Sequence, residues 1–150
     1  PARLEVQIAP RGTTNTAVGY NALTTETDGV RSVAVGHSAL QTQNLAGGYE
    51  AYHIGVGYNA GGSITVGLKN IAIGGLAGDA LTDADFNVAV GRQTLCTNTT
   101  GERNSALGLN AMFSKCNAVS IVFPIYINLP PPMTHLFSKK NHNVYGPNYS

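Results

Sequence analysis

Six glycines divide most of this chain into repeats of 17 residues. Each glycine closes a short unit of small and aliphatic residues, as in Asn70-Ile71-Ala72-Ile73-Gly74. The six repeat glycines are Gly19, Gly36, Gly57, Gly74, Gly91 and Gly108. Their spacing is 17 residues except for 21 between Gly36 and Gly57, which indicates a four-residue insertion there. A period of this length predicts a solenoid, in which each repeat is one unit stacked on its neighbours.

The unit before each glycine alternates in the way of a short β-strand. An aliphatic residue precedes the glycine, a small residue precedes that, and a mostly β-branched residue comes before both, as in Ile71-Ala72-Ile73. Alternation with a period of two predicts side chains on opposite faces of a strand. We expect the aliphatic residues to point into a core, and the small residues to point the other way, towards a closely packed second chain. The glycine then permits a bend or a close backbone approach.

The rest of each repeat predicts one coil with a single turn. A second small and apolar segment, such as Ala22-Leu23, follows the glycine, and polar turn residues such as 24–29 complete the repeat. Stacked coils pair their strands into a parallel sheet. We therefore predict an all-β, parallel β-solenoid of about six coils. The residue that begins each strand is expected to stack as a polar ladder, whose members are Asn15, Ser32, His53, Asn70, Asn87 and Asn104.

Two repeat phrases resemble a known family. Residues 15–23 and 31–40 are similar to the head repeats of trimeric autotransporter adhesins of the YadA type, and are closer still to longer variants in phage and viral tail-fibre proteins. The resemblance covers about residues 13–116. It implies a left-handed parallel β-roll, a homotrimer and a place outside the cell on a virion or cell surface. It also implies attachment to a host receptor, glycan or matrix.

Composition excludes several classes of protein. Nine Lys and Arg residues against eight Asp and Glu residues leave no concentrated basic charge for nucleic acid. No apolar run is long enough for a membrane-spanning helix, so no membrane insertion is expected. The chain begins at Pro1 without Met or a signal peptide, which indicates a processed piece or a fragment.

The thin core of a 17-residue coil is hard to stabilise alone, and association with copies of the same chain is the expected remedy.

The ends of the chain fall outside the repeat. Residues 1–12 are expected to form an N-terminal cap or lead-in strand before the repeat domain at 13–116. Residues 117–150 lose the repeat glycine and hold five of the seven prolines. A C-terminal cap, a linker and a flexible tail all remain open for this part. A β-prone stretch at 120–127 would be prone to aggregate if exposed, so we expect it to be covered or paired.

Motifs for catalysis, cofactors and metals are missing or unconvincing. Residues 55–60 match a loose dinucleotide fingerprint, but no helix is expected after them, so no cofactor is predicted. Asp79, Asp83 and Asp85 lack the spacing of a calcium loop, and no metal site is predicted. No catalytic residue is expected, because Glu26 and Asp28 share one turn without a paired carboxylate.

Cys96 and Cys116 are either joined by a disulfide or free thiols. Residues 98–100 and 148–150 are glycosylation sequons.

Two places are candidates for recognition. The first is the residue after each repeat glycine, where aromatic and basic side chains vary as only a surface tolerates; the candidates there are Tyr20, His37, Tyr58 and Arg92. The second is the insertion, because function often resides where a regular repeat is interrupted. Its candidate residues for contact with a glycan are Tyr49, Glu50, Tyr52 and His53. In both places the alternative is a side chain with no ligand.

These observations favour a non-enzymatic fibre or adhesin segment. The main alternative is a purely structural shaft or fibril subunit that binds no small ligand. A depolymerising enzyme is less favoured for want of paired carboxylates. An ice-binding solenoid with regular threonine rows is also less favoured, because Thr16, Thr65 and Thr94 do not share one position of the repeat.

Overall fold

The computed structural model describes residues 6–7, 14–113 and 121–122 of the 150-residue chain. These residues form short strands and turns and contain no helix. The strands are β1 (Val6–Gln7), β2 (Thr16–Val18), β3 (Val33–Val35), β4 (Ile54–Val56), β5 (Ile71–Ile73), β6 (Val88–Val90), β7 (Ser105–Leu107) and β8 (Ile121–Val122). They lie side by side in chain order in one sheet, antiparallel between β1 and β2 and parallel elsewhere. The predicted parallel β-solenoid with 17-residue coils is confirmed.

The register of the sheet follows the sequence repeat. Ala34 of β3 pairs with Ala17 of β2 and with Gly55 of β4, so equivalent residues of successive coils lie directly beside one another. The four-residue insertion between β3 and β4 does not shift this register. It is absorbed in the connection, where Val30 and Glu50 form an isolated parallel bridge.

The facing of the strands is the reverse of the prediction. The small residues point inward and are fully or almost fully buried: Ala17, Ala34, Gly55, Ala72, Ala89 and Ala106. The aliphatic residue before each glycine points outward, and Ile73 and Leu107 are 38% and 45% exposed. Leucines from the opposite wall of the coil explain the reversal. A Cβ added to Gly55 would lie 2.7 Å from Cγ of Leu40, so the interior has room only for small residues on the strand.

The repeat glycines form a column of close backbone contacts, as predicted. Gly57 has a φ of +131°, and a Cβ on it would lie 2.7 Å from the carbonyl carbon of Gly74 in the next coil. The turn that follows also uses left-handed residues, and these need not be glycine. Two and four residues after Gly36, Ser38 and Leu40 have φ values of 57° and 49°. The chain therefore bends sharply at the same points of every coil.

The predicted polar ladder is present and buried inside the solenoid. The backbone N–H of Asn87 donates to Oδ1 of Asn70 at 2.9 Å, and that of Asn104 donates to Oδ1 of Asn87 at 3.0 Å. The N–H of Asn70 donates to Nδ1 of His53 at 3.1 Å. The side chains of His53, Asn70 and Asn87 thus each accept the N–H that begins the strand of the next coil, which would otherwise be an unpaired buried donor.

Both ends of the sheet extend beyond the six repeat strands. Val6 and Gln7 pair with Val18 and Ala17, and Ile121 and Val122 pair with Ser105 and Ala106. The remaining parts of 1–12 and 117–150 lie outside the described residues, and so does most of the stretch at 120–127. Their roles as cap, linker or tail therefore stay predictions.

Candidate functional site

The outer face of the sheet is apolar, and within residues 14–113 no other segment packs over it. It consists of the two outward residues of each strand, which we call the sheet face. Its members are Thr16, Val18, Val33, Val35, Ile54, Val56, Ile71, Ile73, Val88, Val90, Ser105 and Leu107. Parallel sheets are normally covered on both faces, and their strands are accordingly rich in Val and Ile. This sheet has the expected composition, but the described part of the chain covers only its inner side.

The residues after the repeat glycines form an exposed row, as predicted. The ring centroids of Tyr20 and His37 lie 5.2 Å apart in a tilted pair, and those of His37 and Tyr58 lie 5.4 Å apart in a stacked pair, so three rings are in contact along successive coils. Tyr20 and Tyr58 are 58% and 59% exposed. We call these three residues the aromatic row. Arg92 is also exposed but lies two coils beyond Tyr58, where its guanidinium donates to Oε1 of Gln93 at 2.6 Å.

The insertion brings part of its predicted set together at the surface. The hydroxyl of Tyr52 donates to Oε2 of Glu50 at 2.9 Å, and Glu50 also forms an ion pair with Arg31. Tyr49 is 65% exposed. The prediction was wrong for His53, whose side chain is fully buried in the polar ladder and donates from Nε2 to the carbonyl of Gly67 at 2.7 Å. Burial lowers the pKa of His53, which favours this neutral form.

A second exposed row was missed by the sequence analysis. Five residues before the repeat glycines, cationic and aromatic side chains alternate from coil to coil in the order Arg31, Tyr52, Lys69, Phe86 and Arg103. The ammonium of Lys69 lies 5.1 Å from the ring centroid of Phe86, and the guanidinium of Arg103 lies 5.3 Å from the same centroid. Reading the sequence at this one position of every repeat would have revealed the alternation.

The acidic residues considered earlier have separate structural roles. Oε1 of Glu26 accepts the N–H of Gly29 at 2.6 Å, and its Oε2 accepts Nε2 of Gln43 at 2.7 Å, all in the interior. Asp85 accepts the N–H of Leu68 at 2.7 Å. Among the described residues, no group of three or more His, Cys, Asp or Glu side chains is placed to hold a metal ion. Within the same ranges, no helix is both long and apolar enough to cross a membrane.

The fold limits the chemistry of the first glycosylation sequon and of Cys96. Asn98 of the first sequon is buried, and its amide exchanges hydrogen bonds with Gly101 at 3.0 and 2.9 Å, so the folded chain does not present it for glycosylation. Burial raises the pKa of the Cys96 thiol, which lies 3.8 Å from the carbonyl oxygen of Phe113. Cys116 and the second sequon lie outside the described residues, so the bridged and free alternatives both stay open.

The prediction that the threonines form no regular row was wrong. Thr16, Thr65 and Thr94 occupy different positions, as predicted: Thr16 is on the sheet face and Thr94 is buried. Thr65, however, belongs to a row that the sequence analysis overlooked, since its N–H donates to the carbonyl of Thr82, and the N–H of Thr82 donates to that of Thr99. Regular threonine rows therefore do exist in this solenoid.

Comparison of the chain with models of protein families, with characterised proteins and with solved structures found no match.

Proposed function

We propose that this chain is a non-enzymatic segment of an extracellular fibre, on a virion or a cell, that assembles as a homotrimer and attaches to a host glycan, receptor or matrix. The uncovered sheet face is the observation that carries this proposal. An apolar surface that runs unbroken along the coils is rare on a monomer and is typical of an interface.

A second copy of the chain is the natural cover for the sheet face. Its β-branched side chains have the composition of a parallel sheet buried on both sides, and equivalent residues repeat at the same spacing in every copy. Three sheet faces that meet along one axis would cover each other completely. The number three comes from the family that the repeats resemble. The interface proposed here is the aliphatic face and replaces the small-residue face expected from the sequence.

Light scattering on the whole chain tests the assembly. We expect a species of three times the chain mass, and a variant Ile73→Lys that shifts it to the monomer because the ammonium would have to be desolvated in the interface. Glu102→Lys is the matched control, since Glu102 is exposed and lies off the sheet face. A wild-type monomer would contradict the trimer, and equal effects of the two substitutions would contradict its assignment to the sheet face.

The aromatic row is the favoured place for attachment. Tyr20, His37 and Tyr58 present ring edges and polar tips at the regular spacing of the coils. Aromatic side chains offer a rigid apolar surface with a hydrogen-bonding group, which suits the mixed polar and apolar surface of a sugar. We expect a glycan array to detect binding that is lost in the Tyr20→Ala/Tyr58→Ala variant and kept in Tyr49→Ala/Tyr52→Ala. The opposite pattern would place the site in the insertion.

A structural shaft is the second candidate, and one observation favours it. The polar groups at the insertion bond to one another, with Arg31, Glu50 and Tyr52 joined by the ion pair and the tyrosine hydrogen bond. Such a cluster is satisfied without a ligand. A trimer that binds nothing on the glycan array and no cell-surface preparation would leave the shaft as the function.

A further inference from the structure

Two parallel rows of hydroxyl side chains cover the turn side of the solenoid. They stand six and eight residues after the repeat glycines, and we call them the hydroxyl rows. Their members are Thr25, Thr42, Ser63, Ala80 and Thr97 in one row, and Thr27, Asn44, Thr65, Thr82 and Thr99 in the other. Eight of these ten positions carry a hydroxyl and none carries a charge. The exposed Asp83 stands beside the rows, and its Oδ1 accepts Oγ1 of Thr65 at 3.2 Å.

The fold places the two rows in register. The residue between the rows is buried in every coil, as with Ile64 and Leu81, so its two neighbours both turn outward. Backbone hydrogen bonds link successive members of the second row from coil to coil, from Thr65 to Thr82 at 3.0 Å and from Thr82 to Thr99 at 3.0 Å. Successive members of a row therefore lie one coil apart, at about the 4.8 Å spacing of the sheet.

The hydroxyl side chains are held in place before any ligand arrives. Oγ1 of Thr25 donates to the carbonyl of Gln41 at 2.7 Å, and Oγ1 of Thr42 donates to that of Gly62 at 2.7 Å. Oγ1 of Thr82 donates to the carbonyl of Thr99 at 3.2 Å. Each bond fixes a rotamer, so little side-chain entropy remains to be lost on binding. The oxygen keeps a lone pair for an outside donor.

We propose that the hydroxyl rows bind the surface of ice. A crystal of water presents O–H donors on a regular lattice, with a repeat close to the spacing along each row. The fixed threonine oxygens can accept such donors at many points together, while the methyl groups fit between them. Each contact is weak, but a rigid array engages all of them at once. The rows do not include the sheet face or the aromatic row, so this activity is independent of trimer formation and of attachment.

Thermal hysteresis and retention in a growing ice front, measured on the whole chain, test the proposal. We expect both activities in the wild type and their loss in Thr82→Lys and in Thr99→Lys, because a long charged side chain would prevent a flat crystal from approaching. Circular dichroism shows whether each variant keeps its strands, and Thr99 is the more exposed of the two sites. Leu109→Lys is the control, since Leu109 is 66% exposed and belongs to neither row.

The outcomes are separable. Hysteresis in the wild type and in Leu109→Lys, with loss in folded Thr82→Lys or Thr99→Lys, would support ice binding by these rows. A wild-type chain that shows neither hysteresis nor retention in ice would overturn the proposal. Equal losses in the row variants and the control would overturn the assignment to the hydroxyl rows.

Discussion

Gly61 and Ile64 share one space in the interior of the third coil: a Cβ on Gly61 would lie 2.9 Å from Cδ1 of Ile64, and 2.8 Å from Cδ2 of Leu40 in the coil before it. In other coils the large apolar side chain stands at the other of these two positions. Leu95 fills the space in the fifth coil, and the partner position there is the polar Asn98, bonded to Gly101. The coil interior thus accepts one large apolar side chain at this level, from either of two positions.

This relationship predicts a strong coupling between the two sites. Gly61→Leu alone should overfill the coil, and Ile64→Asn alone should leave a cavity and a buried amide, each costing about 3 kcal/mol of the free energy of unfolding. The double variant recreates the pair at 95 and 98, and Gly67 stands where Gly101 stands for Asn98. We expect the double variant to be more stable than either single one, as measured by urea unfolding. Additive losses would contradict the shared space.

The column of repeat glycines predicts a sharp contrast between two adjacent positions. Gly57→Ala should cost about 3 kcal/mol or more, because φ is +131° and the new methyl group would meet the backbone of Gly74. Gly75→Ala is the control, since a Cβ there would meet nothing within 4 Å. Thermal unfolding of both variants measures the difference. Similar losses would show that the glycines are not held by the contact between coils.

The polar ladder predicts that the loss of stability on replacing an asparagine with alanine depends on its position along the ladder. Asn87→Ala removes the acceptor of the Asn104 N–H inside the solenoid and also its own bonds to Asn70, so we expect a loss of about 2–3 kcal/mol. Asn15→Ala removes the same kind of acceptor, here for the N–H of Ser32, at the half-buried start of the ladder. Water can replace that bond, and the loss should be smaller. Chemical denaturation of the two variants tests the order.

Much of the fold followed from the period alone, because equal spacing places equal residues side by side. The strands, the bend at the glycine and the ladder from Asn15 to Asn104 were all predicted correctly. The facing of the strands was not, since alternation separates two sets of residues without showing which set is inside. That choice depends on how far Leu40 and its counterparts reach across the coil, which is a tertiary property.

The candidate site was predictable only in part, because the position of a residue in the repeat indicates exposure or burial more reliably than its place along the chain. Tyr20, His37 and Tyr58 stack because one repeat position is exposed, and variation at that position showed it. His53 was assigned both to the ladder, by its position in the repeat, and to the glycan site, by its place in the insertion, and only the first assignment is correct. The left-handed φ of Leu40 had no signal in the residue type, because such conformations are uncommon outside Gly, Asn and Asp.

The buried His53 predicts a loss of stability in mild acid. Its pKa is lowered by burial, and the bond from Nε2 to Gly67 counteracts this only in part. Below a pH of about 6.5, the ordinary pKa of histidine, the imidazole of His53 is protonated in the unfolded chain but stays neutral in the folded chain. The free energy of unfolding should therefore fall as the pH drops from about 6.5 towards the lowered pKa, and His53 should contribute no slope above that range. Unfolding midpoints between about pH 5 and pH 8 measure this.

Two substitutions separate His53 from other causes of acid sensitivity. His53→Asn should remove most of this slope, because asparagine occupies the same ladder position at Asn70 and Asn87 and does not titrate. His37→Asn is the matched control, because it makes the same substitution at an exposed histidine of the aromatic row. An unchanged slope in His53→Asn would show that the proton uptake belongs to another group. Loss of the slope in that variant alone would establish that one imidazole inside the ladder makes the solenoid sensitive to pH.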